Sequence, residues 1–215
     1  MYLPVHFAET RTEVLHALVR AHPLATLVTL SSDGLLANHV PLQLLAGAGP
    51  QGRDLLRGHV ARANPLWQDR VAGVDALVVF QGPQHYVSPN WYPSKQETGK
   101  VVPTWNYCCV HARGALQVHD DADWVRAQVG SLTSQHEEAL ARPWAVEDAP
   151  ADYVRSMLAM IVGIEIDVTR LTGKWKMSQN QPPRNRAGVI AGLDGLDEAQ
   201  AKDVAGLVRE RNSGS

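Results

Sequence analysis

The sequence predicts a mainly β fold, an antiparallel barrel with helices at its margins. Three observations predict it. At least six segments carry strand patterns, and most are joined by short turns. Helical periodicity is confined to the margins and to stretches between the late strands. The regular strand–helix alternation of a parallel doubly wound sheet is missing.

Each element follows from its residues. Thr10 and Glu13 stand in capping-box relation, and Val14, Leu15, Leu18 and Val19 follow at helical spacing. His22-Pro23 ends that helix. Leu24–Leu30 alternates apolar and β-branched residues as a strand, Asp33-Gly34 is a hairpin signal, and Leu35–Leu45 returns as a second strand. Leu55–Ala61 is a third strand that leads into Asn64-Pro65. Ala76–Phe80 is a buried strand, Gln81-Gly82-Pro83 is expected to break it, and His85–Ser88 resumes extended structure. Pro89–Val102 reads as a long loop of functional or partner-contacting type. Thr104–Val118 is a long strand, Asp121 or Asp123 caps a helix toward Glu138, and Asp152 begins another through Met160. Ile161–Thr169 alternates Ile164, Ile166 and Val168 against Glu165 and Asp167, the pattern of a half-solvated strand. Helices around 187–193 and from Asp197 to Arg209 close the chain. No linker divides it, so residues 1–215 are expected to form a single domain with a helical extension over 187–215.

Composition narrows the function. With 45% hydrophobic and 20% charged residues, 215 residues can bury a sizeable core. The net charge of −2 lacks the basic surplus of a protein that grips duplex DNA unaided. No stretch approaches a membrane span, and the N-terminus carries no basic-then-apolar signal segment, so a cytoplasmic protein is expected. Cys108 and Cys109 are adjacent, which excludes a disulfide framework, and two thiols make no four-ligand zinc site. The nine histidines show no metal-ligand spacing on one element. No catalytic residue is singled out. The one GxGxxG, Gly47–Gly52, contains Pro50 and precedes a strand, so it reads as a hairpin loop rather than a dinucleotide fingerprint.

Four clusters of polar and aromatic residues remain. The first is His59-Val60-Ala61-Arg62-Ala63-Asn64-Pro65, where Arg62 at a strand end can fork onto a phosphate. A strand followed by a helix capped by Asn64 accounts for it equally well. The second runs from Gly82 to Tyr92; Ser88 offers a phosphate donor and Tyr86 or Trp91 a face for a flat ring. A loop pinned by aromatics is the structural alternative. The third is Val102–Tyr107, with polar groups on both faces, which an aromatic-rich core strand also explains. The fourth is Gly173–Pro182, two lysines around Trp175 and then Ser-Gln-Asn-Gln, otherwise a solvated loop.

Taken in order, HVARANP, GPQHYVSPNWY, VPTWNY and GKWKMSQNQP resemble the PaiB-type FMN-binding negative transcriptional regulators, from about Tyr2 to Leu193. The resemblance implies an antiparallel split β-barrel related to pyridoxamine phosphate oxidases and flavin reductases, with FMN in a cleft of a homodimer. By the same analogy the flavin floor is the strand after Asp33-Gly34 and the strand ending at Arg62, with His39, His59, Ala61, Arg62 and Asn64 as cofactor-binding residues. Tyr86 and Ser88 come from the second motif and Lys174 and Gln179 from the fourth, and Trp105 of the third is added because a flavin needs an aromatic slot for its ring. One departure is that the second strand holds His39, Pro41 and Gln43 with no Arg or Lys, where related oxidases place cations for the phosphate. Arg62 is then the first candidate for that charge. The resemblance implies a regulatory function, with direct DNA contact unsupported by the net charge. The alternatives are an FMN-dependent oxidoreductase of the pyridoxamine phosphate oxidase or flavin reductase kind, and a haem-binding protein.

Overall fold

The computed structural model describes residues 1–212; Ser213–Ser215, the end of the expected C-terminal extension, lie outside the described residues. In chain order the strands are β1 (Ala8–Glu9), β2 (Leu24–Ser31), β3 (Gly34–Pro41), β4 (Gln43–Leu45), β5 (Leu55–Ala61), β6 (Ala76–Val87), β7 (Thr104–His119) and β8 (Ile161–Lys176). The helices are α1 (Thr12–Ala21), α2 (Lys95–Thr98), α3 (Ala122–Glu137), α4 (Ala151–Leu158), α5 (Pro183–Asp194) and α6 (Ala199–Asn212). The eight strands form one antiparallel sheet in the order β3-β2-β6-β7-β8-β5-β4, with β1 added to β8. The path ends at β3 on one side and β4 on the other, so the sheet is not closed.

The chain divides into two compact units. One contains Met1–Leu18, Gln81–Val110 and the chain from Thr172 onward; the other contains Val19–Phe80 and His111–Leu171. In the second unit, Leu27, Leu56, Val78, Phe80, Ile164 and Ile166 are fully buried. In the first, Val87, Val110, Met177, Val189, Leu193 and Val204 are buried, and α5 packs on α6.

Several elements depart from the sequence expectation: β1 and α2 were not expected, β8 runs past Thr169 to Lys176, and three further differences have a visible physical reason. The expected second strand is two: Leu42 is buried, donates its N–H to Pro23 O at 2.9 Å, and separates β3 from β4, which turns to pair with β5. The break expected at Gln81-Gly82-Pro83 does not form, and β6 runs through it. Gly82 serves close approach instead, because a Cβ there would lie 2.6 Å from Cys108 Sγ and 2.8 Å from Leu18 Cδ1.

Nor is β8 half-solvated where alternation predicted it. Glu165 and Asp167 are 7% and 8% exposed, and both faces of the strand are covered over 162–168. The register explains how two carboxylates survive there: Arg57 pairs opposite Glu165 and reaches it at 2.5 Å, and Arg53 reaches Asp167 at 2.5 Å. A buried charge is retained when a partner meets it. Asp121 caps α3 by accepting the N–H of Trp124 at 2.8 Å, as expected.

Candidate functional site

Five of the ten expected cofactor residues lie in the second unit. The register β5–β8 sets His59 opposite Gly163 and Ala61 opposite Ile161. His59 Nδ1 is 2.8 Å from Gln128 Oε1, so the imidazole is tied to α3. Ala61 and His39 are exposed. Asn64 works in two directions: its Oδ1 accepts the N–H of Leu66 at 2.9 Å, capping a short 3-10 turn over Pro65–Trp67, and its Nδ2 donates to Asn38 Oδ1 at 2.7 Å. That second bond links the end of β5 to β3. Asn38 Nδ2 is buried without a hydrogen-bond partner among the described residues, a spare donor beside His39.

Arg62 is heavily engaged. It forks onto Asp120 at 2.5 and 2.9 Å and donates to the backbone carbonyls of Ala159 at 2.7 Å and Ile161 at 3.2 Å. Its guanidinium also lies over Trp67, 5.8 Å from the ring centre, and Trp67 Nε1 donates to Arg62 O at 2.8 Å. The hydrogen bond to Asp120 raises the Arg62 pKa and lowers that of the carboxyl. This geometry ties the end of β5 to the segments around Asp120 and Ala159.

The other five expected residues lie in the first unit, and three of them serve the scaffold. Ser88 Oγ accepts the N–H of Asn90 at 3.2 Å and caps the turn Pro89–Trp91. Gln179 accepts from Met177 N and donates to Trp175 O, both at 2.6 Å, bracing a loop in which Ser178 takes a φ of 61°. Lys174 is 8% exposed, donates to Tyr2 O at 3.2 Å, and lies over the rings of Tyr2 and Tyr107. Tyr86 and Trp105 differ. They meet edge to face with ring centres 6.2 Å apart, yet remain 41% and 52% exposed, an aromatic surface open to a flat ligand.

Four residues that the sequence reading did not select line a cavity of about 170 Å³ in this unit: Tyr92, Asn106, Lys176 and Ser178, joined by Thr104. Asn106 is fully buried and bonds Ser178 Oγ at 2.9 Å. Lys176 donates to Thr104 Oγ1, and burial, reinforced by the charge of Lys174, lowers its pKa. Tyr92 is 3% exposed, its hydroxyl has no partner among the described residues, and burial raises its pKa. The signal in the sequence was alternation: on β7 Trp105 is exposed and its neighbour Asn106 is buried.

FMN asks for a surface for its ring, donors for its pyrimidine edge and donors for its phosphate. The first unit meets the first of these needs with the open aromatic pair of Tyr86 and Trp105, and the second unit holds an amide donor without a partner among the described residues, Asn38 Nδ2. Among the described residues no group of His, Cys, Asp and Glu is placed to hold a metal ion, and no helix is long and apolar enough to cross a membrane.

Comparison with known proteins agrees. Residues 1–170 match the family model described as "Putative FMN-binding domain". The chain is 36% identical to an uncharacterised protein of Emericella nidulans over 98% of this chain and 97% of that one. It is 30% identical to the Protease synthase and sporulation protein PAI 2 of Bacillus subtilis over 98% of each. Among solved structures, the flavocytochrome Anf3 from Azotobacter vinelandii superposes with a TM-score of 0.54 at 13% identity, over 79% of this chain and 69% of that one. The FAD and heme binding protein from Mycobacterium smegmatis gives 0.52 at 18% identity, over 79% and 73%. These likenesses place the open antiparallel sheet in the split-barrel class. The chain belongs to the FMN-binding domain family, and FMN is its cofactor.

Proposed function

We propose that this protein is an FMN-binding negative regulator of transcription of the PaiB kind, working as a homodimer. The end-to-end similarity to PAI 2 of Bacillus subtilis, a protein named for protease synthesis and sporulation, supports the regulatory half. The observation that carries the reading is the use made of the motif side chains. His59, Arg62, Ser88 and Gln179 are held by hydrogen bonds within the fold, which suits a frame for a bound group more than a set of free acids and bases. His39, Ala61, Tyr86 and Trp105 remain exposed to meet a ligand.

Within the second unit, His39 and Ala61 are the groups we assign to flavin contact, with His59, Arg62 and Asn64 as positioning residues. Within the first, Tyr86 and Trp105 offer ring contact while Ser88, Lys174 and Gln179 hold the strands and loops around them. FMN when bound supplies the electron transfer that these side chains lack. With a net charge of −2, regulation runs through flavin state or a partner rather than through phosphate neutralisation on DNA.

The absorption spectrum of freshly purified protein tests the cofactor, and size-exclusion chromatography with light scattering tests the dimer. Paired near-ultraviolet and blue flavin bands on a species of twice the chain mass are expected. A colourless monomer that gives no heat with riboflavin 5′-phosphate would sink the reading. Steady oxidation of NADH or NADPH by the FMN-loaded protein would replace regulation with an oxidoreductase activity.

A further inference from the structure

The cavity lined by Tyr92, Thr104, Asn106, Lys176 and Ser178 has no part in the flavin assignment above. Its chemistry is one-sided. None of its lining residues is acidic, while it offers an ammonium, a phenol, two hydroxyls and carboxamides. Lys176 spends one N–H on Thr104, and an ammonium carries three. The Tyr92 hydroxyl is buried and has no hydrogen-bond partner among the described residues. A buried unpartnered hydroxyl costs stability unless something bonds it. Burial of Lys176 disfavours its charged form, and an anion in the cavity would offset that cost.

Size sets the ligand. The cavity of about 170 Å³ is between five and six times the roughly 30 Å³ of a water in the liquid, room for a tetrahedral oxyanion with little attached to it. A three-ring flavin does not fit inside. We propose that this pocket binds a phosphate-type oxyanion, with Lys176 and the Tyr92 hydroxyl as its two principal donors.

Two sources share that chemistry: a free phosphate or small phosphorylated metabolite, and the phosphate end of FMN. Calorimetry of the full chain with inorganic phosphate tests the site. Saturable binding is expected, weakened roughly tenfold or more by Lys176→Met, the loss of one charge-assisted contact. Tyr92→Phe is the cleaner variant. It should weaken phosphate binding about threefold to tenfold while leaving the melting temperature of the phosphate-free protein unchanged or higher, because it removes a hydroxyl with no partner. No saturable heat with phosphate in the wild type, or wild-type phosphate affinity in both variants, overturns the site. Titrations with FMN and riboflavin then assign the source. If Lys176→Met weakens FMN and spares riboflavin, the pocket holds the cofactor's phosphate; if it spares both while phosphate binding falls, the oxyanion belongs to a second ligand. A protein that binds phosphate with these dependences but no flavin keeps the site and loses the FMN reading.

Discussion

Glu9 shows how much one side chain can carry. It is 4% exposed, accepts from the backbone and side chain of Arg11 at 2.8 Å each, and pairs with Arg211 from the far end of the sequence. Burial alone would raise its pKa, but the Arg11 hydrogen bonds and the charges of Arg211 and Arg11 outweigh it and hold the carboxyl at about 2. A depressed folded pKa gives stability that is complete above the unfolded value near 4.5 and is lost as pH falls toward 2. Glu9→Gln should therefore cost on the order of 2 kcal/mol at pH 7. The gap between variant and wild type should shrink as urea melts are repeated from pH 5 down to pH 2. A gap independent of pH in that window would place the effect in packing rather than charge.

Arg62 calls for a similar separation of roles. Its guanidinium is given to Asp120 and to the carbonyls of Ala159 and Ile161, so Arg62→Ala should lower the melting temperature by stripping those acceptors. The variant, where folded, should keep flavin affinity within about threefold of wild type, less than the tenfold that follows from losing a charged hydrogen bond. Loss of flavin without loss of thermal stability would return the phosphate to Arg62.

At the scale of elements, one aromatic residue of α3 carries much of its packing on the sheet, beside the hydrogen bonds of Gln128 to His59 and of Ser131 to Gln43. Trp124 stacks on His119 with ring centres 4.1 Å apart, lies beneath the Arg57 guanidinium, and covers Gly163 of β8. A Cβ on Gly163 would fall 2.2 Å from the Trp124 ring. Gly163→Ala should thus cost about 1–3 kcal/mol by overpacking, read as a lower urea midpoint with an unchanged m-value. A neutral substitution would mean that α3 gives way freely. Strand identity and the helix toward Glu138 were legible because their causes are local, while the structure chose Asp121 over Asp123 as its cap. The continuity of β6 through Gly82-Pro83 was not legible, because its reason is Cys108 and Leu18, residues distant in sequence.

At the scale of the whole molecule, charge bears on whether the proposed regulation involves direct contact with DNA. A chain of net charge −2 has little means of releasing counterions from duplex DNA. Gel-shift titrations at about 50 mM and 200 mM salt should show no retardation of non-specific duplex at either. Retardation that falls steeply between the two would establish a basic contact surface and direct binding.

What short spacing and residue type can encode was legible in the chain alone: the strand and helix segments, the hairpin at Asp33-Gly34, and four ordered motifs, three of which lie inside the 1–170 stretch that matches the family model. Tertiary structure alone decided which motif side chains are free. Arg62 and Lys176 are both cations in motif segments, yet Asp120 claims the first and a cavity without acids surrounds the second. Likewise Glu165 and Asp167 alternate like solvent-facing residues but lie buried, because β5 brings Arg57 into register and Arg53 within reach. The physical reason is common to these cases: a charged side chain goes where its partner is, and that partner is chosen by strand register and packing between residues far apart in the chain.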